Sequence, residues 1–144
     1  MPQRWTRDTL HDLITDRLSG FRFIAVSNRE PYIHRFREPG AEIEVMLPAS
    51  GMATALDPIL RASGGTWVAH GSGDADRHVV DHRDRVAVPP ENPLYTLRRV
   101  FLPPDIERGY YMGLANSGLW PLCHIAYHRP VFRLSDWEDY RKAN

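Results

Sequence analysis

The sequence predicts an α/β layered domain, and three observations carry that prediction. Segments with apolar residues at helical spacing alternate along the chain with short apolar or alternating runs of strand character. Pro and Gly punctuate the boundaries between these segments. At 144 residues, with 42% hydrophobic and 25% charged side chains, the chain has the length and composition of one globular domain with a core.

Each element can be justified in order. Thr6 to Leu18 places Leu10, Leu13, Ile14 and Leu18 at helical spacing, with Thr6 or Asp8 as the N-cap. "GFRFIAVSNREP" contains the apolar run Phe21, Phe23, Ile24, Ala25, Val26, read as a buried strand whose carboxyl end is "SNR". Tyr32 to Leu47 alternates around Pro39-Gly40 and predicts a β-hairpin. In "PASGMATALDPILRASGG", Pro48 to Gly51 is a turn and Met52 to Ala62 a helix that Pro58 is expected to bend or split. Gly64-Gly65 ends it, and "TWVAH" (Thr66 to His70) is the next strand. Gly71 to Arg85, polar and rich in Asp and Arg, predicts a loop. "RVAVPP" and "LYTLRRVFL" predict two further strands around Pro89 to Pro93. From Asp105 the character turns helical, and the last helix opens with Ser135 and Glu138 in capping-box spacing. That helix reaches the last residue without a C-cap, so the chain is expected to be cut from a longer protein or to be a natural short form. Four or five strands are also few beside a mean sheet of ~5–6.

Composition narrows the partners. A formal net charge of zero provides no field drawing the chain toward nucleic acid or an anionic membrane. The eighteen cationic side chains include one lysine, Lys142, and the rest are arginines, whose planar fork suits carboxylates and phosphates. A single cysteine makes no internal disulfide and favours a reducing compartment. "MPQRWTRDTLHDL" has no apolar signal core, and no apolar run nears the ~20 residues of a membrane span. A cytoplasmic protein is expected.

Four stretches offer chemistry. "GLWPLCHIAYHRPVF" sets His124 and His128 beside Cys123, but between the histidines lie Ile125, Ala126 and Tyr127 where a zinc helix wants a carboxylate. No third ligand has convincing spacing and no acid orients a thiolate–imidazole pair, so scaffold histidines and a buried structural cysteine outrank a metal or thiol site. "SNR" places Arg29 beyond the carboxyl end of a strand, where open α/β sheets bind ligands; a surface arginine paired with Glu30 is the plainer alternative. "PASGMATAL" leads a small-residue turn into a helix whose first N–H groups suit an anion, though most such turns are only turns. "GYYMGLANSGLWP" carries Tyr110, Tyr111 and Trp120, which suit either core packing or contact with a sugar.

Together and in this order, "VSNREP", "ASGMATAL", "GGTWVAHGSG", "YYMGLANSGLWPLCH" and "RPVFRLSDWEDYRKAN" resemble the N-terminal part of trehalose-6-phosphate synthases, a family of retaining nucleotide-sugar glycosyltransferases. The resemblance runs over nearly all the chain from Phe21. It implies an incomplete Rossmann-like N-terminal domain of the GT-B architecture. Residues 1–144 would form part of the acceptor-side domain, and the C-terminal donor-binding domain would be absent. It implies transfer of glucose from a nucleotide diphosphate sugar such as UDP-glucose to glucose 6-phosphate, in trehalose biosynthesis.

By the same resemblance, Arg29 contacts the acceptor phosphate, Tyr111 and Trp120 line the acceptor pocket, and Ser50-Gly51 is the turn approaching the donor diphosphate and sugar. Ser50 stands where the family usually has a first glycine, and a Cβ there is costly if the position needs a positive φ. No metal or other cofactor is implied, and no catalytic residue falls within the chain. The partners expected are a sugar phosphate and a nucleotide sugar, neither nucleic acid nor membrane, together with self-association through uncovered sheet edge and apolar surface. The rival from another class is a truncated, non-catalytic module that binds sugar phosphate or regulates a complete synthase. On either reading the polypeptide alone is expected to be inactive as a transferase.

Overall fold

Thr6 starts the first helix, α1 (Arg7–Arg17), through a reciprocal cap: its Oγ1 accepts from the Thr9 N–H at 3.2 Å while Thr9 Oγ1 accepts from the Thr6 N–H at 2.8 Å. Two helix-start donors are thereby satisfied. The computed structural model describes residues 4–38, 42–125 and 127–144, and the chain divides into two units, Met1–Phe101 and Leu102–Asn144.

In the first unit, β1 (Ile24–Ser27), β2 (Ile33–Phe36) and β3 (Ile43–Met46) precede α2 (Gly51–Ser63); then come β4 (Thr66–His70), the short α3 (Asp76–Val79), β5 (Arg85–Val88) and β6 (Tyr95–Val100). One sheet has the order β1-β4-β6-β5, parallel through β1, β4 and β6, with β5 antiparallel on its edge. β2 and β3 pair antiparallel with Ile33 opposite Met46, as the alternation predicts; the expected turn at Pro39-Gly40 lies outside the described residues. The crossover from β1 to β4 runs through α2, whose end at Gly64 lies beside Leu94, just before β6 begins. The start of α2 therefore lies toward the carboxyl ends of the parallel strands. This is the mixed α/β architecture, with a parallel sheet, that the sequence predicts.

One sheet face packs on α2. Leu60, Trp67, Val88 and Leu97 are fully buried there among Ala25, Ala53, Ala69 and Tyr95. Each large aliphatic side chain so buried contributes about 1.5–3 kcal/mol. Trp67 and Tyr95 stack with ring centres 6.5 Å apart.

Four expectations need correcting. β1 is not buried on both faces: Ala25 is buried, whereas Ile24 and Val26 are 60% and 76% exposed, because a strand covered on one side hides alternate residues only. Pro58 does not split α2, which runs unbroken from Gly51 to Ser63. The bond that Pro58 forgoes is one of many in the helix, and the buried Ala53, Leu60 and Ala62 hold both halves to the sheet. The stretch 71–85 is not only loop, since Ala75 and Asp76 are buried and open α3. Finally, Ser135 caps nothing: α6 (Leu134–Ala143) has Arg133 as its N-cap with no side-chain capping bond, which leaves Ser135 inside the first turn.

The second unit is helical. α4 (Pro104–Glu107), a π-helical stretch (Arg108–Leu119) and α5 (Trp120–Cys123) follow without a break, and α6 packs on them. The wider i→i+5 winding shows in the Trp120 N–H donating to the Ala115 carbonyl. Gly109 and Gly113 allow the close approach of α6: a Cβ on Gly113 would lie 2.5 Å from the Asp136 carboxylate. An apolar groove of about 460 Å³ lies between Leu114, Phe132 and Trp137.

Candidate functional site

At the carboxyl end of β1 the chain turns through Ser27, Asn28 and Arg29. Ser27 Oγ donates to the Arg29 carbonyl at 2.7 Å and itself accepts from the Trp67 indole N–H at 2.8 Å. A fully buried ring thus fixes the turn from below, while Arg29 is exposed. The next residue, Glu30, points inward and is 3% exposed. Its Oε1 accepts from Ser72 Oγ at 2.6 Å and from the Ser72 N–H at 3.2 Å, on the loop that leaves β4.

Beneath these two loops lies a buried polar cluster. Arg99, 1% exposed on β6, donates through Nη2 to Asp76 Oδ1 at 2.6 Å and to the Tyr32 carbonyl at 2.7 Å. His34 Nδ1 lies 3.0 Å from Asp76 Oδ1 and 3.1 Å from Arg99 Nη2. The His34 and Gly73 N–H groups also donate to the Asp76 carboxylate. Burial pushes the Asp76 carboxyl upward, but the His34 bond, the Arg99 charge and the two backbone N–H groups outweigh it, and the net displacement is downward. Burial lowers Arg99 in turn, against the charges of Asp76 and Glu30. Two of its donors, Nε and Nη1, have no hydrogen-bond partner among the described residues, and Nη1 lies 3.9 Å from Glu30 Oε1.

A second polar cluster joins β2, α2 and β6. Asp57 Oδ1 accepts from Tyr95 Oη at 2.7 Å and from Tyr32 Oη at 3.2 Å, and Arg61 Nη2 donates to Tyr32 Oη at 2.6 Å. Burial, then the Asp57 carboxylate, raise both phenols. The tyrosines therefore stay neutral and act as donors that fix α2 on the sheet.

At the start of α2, Ser50 is the N-cap, with Oγ accepting from the Ala53 N–H at 3.3 Å. Its φ of −139° is extended, so this position demands no glycine and the Cβ of Ser50 costs nothing. A Cβ on Gly51 would have nothing within 4 Å; its backbone faces open space at the positive end of a helix dipole.

Tyr111 and Trp120 belong to the second unit. Tyr111, half-buried in the π-helical stretch, lies 6.1 Å from Tyr110 between ring centres. Burial, then the charges of Glu107 and Tyr111, push the Tyr110 phenol up to about 12. Trp120 is 49% exposed and stacks on His124 at 4.3 Å, and His124 Nδ1 lies 3.0 Å from the Trp120 carbonyl. His124 is thus occupied as a platform for the tryptophan. Cys123, expected buried, is exposed, since α5 ends there and turns it outward. Among the described residues no three His, Cys, Asp or Glu side chains gather into a metal-binding group, and no helix is long and apolar enough to cross a membrane.

The structure brings Arg29 and the start of α2 to the same end of one sheet, and it places Tyr111 and Trp120 on one helical run. The Glu30–Ser72–Arg99–Asp76–His34 cluster went unread in the sequence. The signal available for it was the strand "LYTLRRVFL", in which Arg99 falls on the buried register of Tyr95 and Leu97.

Comparison with known proteins follows the same path. The glycosyltransferase family 20 model matches residues 21–144. A trehalose-6-phosphate synthase of Mycobacterium avium is 35% identical over 123 residues, 85% of this chain and 24% of that protein. Among solved structures, trehalose-6-phosphate synthase from E. coli bound with UDP-2-fluoro glucose superposes with a TM-score of 0.53 at 24% identity, over 85% of this chain and 22% of that one. An α,α-trehalose-phosphate synthase (UDP-forming) from Burkholderia vietnamiensis superposes at 0.52 and 21% identity, with the same coverage. These structural likenesses show the fold, that of the N-terminal portion of the synthases. The chain spans about a quarter of the length of the curated relatives it matches, and it belongs to glycosyltransferase family 20.

Proposed function

We propose that this chain forms the acceptor side of a trehalose-6-phosphate-synthase-type glycosyltransferase and binds glucose 6-phosphate. The observation that carries the reading is the Arg29 turn. It is an exposed guanidinium at the carboxyl end of a parallel strand, on a backbone held from both sides by Ser27 and Glu30. A planar fork on a rigid turn suits a phosphate dianion through paired, charge-assisted hydrogen bonds. Tyr111 and Trp120 offer ring faces and, on the tyrosine, a hydroxyl to the acceptor sugar. The Ser50-Gly51 turn offers unpaired N–H groups to the donor diphosphate; a nucleotide sugar such as UDP-glucose fits the ligand named for the E. coli relative. These groups bind and orient, so their contribution is positional, and no metal enters the reading. It takes the chain as cytoplasmic, and the exposed Phe21, Ile24 and Val26 support self-association.

Calorimetric titration of the purified chain with glucose 6-phosphate, and separately with glucose, tests the acceptor reading. Arg29→Ala is expected to weaken glucose 6-phosphate by at least about tenfold and to leave glucose unaffected. Equal affinity of wild type and variant for the sugar phosphate would refute the phosphate role.

A further inference from the structure

We infer that Glu30 and Ser72 form a positioning clamp for Arg29, with Arg99 holding the Glu30 carboxylate in place from below. The inference rests on the acceptor reading above and deepens it by naming residues that touch no ligand.

The geometry has three parts. First, Ser27 Oγ holds the Arg29 carbonyl on the β1 side of the turn, and the Glu30 side chain ties the backbone that leaves it. The Glu30 carboxylate reaches across to the loop after β4 and takes both donors of Ser72. Second, that loop is a fixed anchor. A Cβ at Gly73 would lie 2.1 Å from the His34 carbonyl, so the loop passes directly against β2. There the Gly73 N–H donates to Asp76 at 2.8 Å and the Ala75 N–H to the His34 carbonyl at 3.2 Å. Third, a carboxylate 3% exposed needs compensation. Arg99 supplies it through a guanidinium whose Nη1 lies 3.9 Å from Glu30 Oε1 and whose Nε and Nη1 have no other acceptor among the described residues. The contact is an ion pair and not a hydrogen bond, and it sets a cation beside the Glu30 carboxylate in this core.

Ser72 separates positioning from folding. It is exposed and outside the hydrophobic core, and Ser72→Ala removes one of the two bonds to Glu30 without leaving an unpaired charge. Two readouts decide the clamp: the ¹⁵N heteronuclear NOE of the Arg29 amide without ligand, and titration with glucose 6-phosphate. Ser72→Ala is expected to lower the Arg29 NOE toward that of a mobile loop and to weaken glucose 6-phosphate about tenfold. Glucose affinity should stay put, Tm should fall only as far as the loss of one hydrogen bond to a buried carboxylate requires, and Ser72→Thr, which keeps the hydroxyl, should restore both readouts. An Arg29 amide as ordered in Ser72→Ala as in wild type would overturn the clamp whatever the ligand does. A wild-type chain whose glucose 6-phosphate affinity ignores Arg29→Ala would instead sink the acceptor reading, and the NOE would still decide the clamp by itself.

Discussion

The two candidate binding regions, one in each unit, are built by opposite means. Around Arg29 the first unit uses long-range hydrogen bonds, Glu30 to Ser72 and Arg99 to Tyr32, Asp76 and His34, all gathered at the carboxyl ends of parallel strands. Around Tyr111 and Trp120 the second unit uses local winding. Trp120 is held by a stack on His124 four residues along and by a backbone bond five residues back, and apart from glycines only Leu114 and Pro121 are buried among that unit's described residues. On the proposed reading, a guanidinium that bonds a phosphate through both forks must be held in direction, which a cross-linked loop provides. A ring face that slides against a sugar asks less, and a helix suffices. The contrast teaches that burial was invested where direction matters.

The largest way to break this contrast is to remove Arg99. Arg99→Met leaves Asp76 fully buried with its strongest cation gone, and loss of one partner of a buried ion pair costs about 3–5 kcal/mol. Trp120→Ala, by comparison, removes a half-exposed ring and is expected to cost under about 1.5 kcal/mol. Urea unfolding followed by far-ultraviolet circular dichroism, which keeps every tryptophan in place, would measure both. Similar losses for the two variants would mean that the two regions are not built differently.

Much of this arrangement was legible in advance, and its limits are physical. Strand and helix periods marked every main element, and Thr66 to His70 came out as the strand it is. Ser50, Gly51 and Arg29 stand out as candidates in the sequence because small residues and a basic side chain after a strand leave a local mark. Glu30 was seen only as a partner for Arg29 on the surface. Its real partner, Ser72, lies far along the chain, and no local pattern announces a contact made by tertiary folding. Arg99 hid for a related reason: an arginine in a strand reads as its exposed face until the register of Tyr95 and Leu97 is fixed. The π-helical winding left no sign, since its apolar spacing resembles that of an α-helix.

Acid separates the units next. The Asp76 carboxyl sits below its ordinary value near 3.8 in the folded chain, so it binds a proton less readily than in the unfolded one. Its stabilisation is full above that ordinary value and disappears as pH falls through the lower folded value. Between pH 7 and 5 the first unit is therefore expected to keep this contribution, and below pH 4 to lose it progressively. Asp76→Asn should flatten that part of the stability profile. An unchanged acid limb in Asp76→Asn would show that the cluster does not govern the first unit's response to acid.

The smallest expected effect compares the two helix starts. Thr6 and Ser135 are both helix-start residues by sequence, and the structure separates them. Thr6 Oγ1 accepts from the Thr9 N–H and the Thr6 N–H donates to Thr9 Oγ1 in return, whereas α6 begins at Leu134 after Arg133, with no side-chain cap. Thr6→Ala is therefore expected to cost about 1 kcal/mol. Ser135→Ala, in the first turn of α6 with no capping bond to lose, should shift stability by less than about 0.5 kcal/mol in either direction. Amide hydrogen exchange in α1 and α6 reads the two helices separately and checks both values. If Ser135→Ala opened α6 as far as Thr6→Ala opens α1, the helix would start at Asp136, with Ser135 as its N-cap, rather than at Leu134. The capping box suggested by Ser135 and Glu138 would then be real, and the second unit would share with the first the use of side chains to fix its ends.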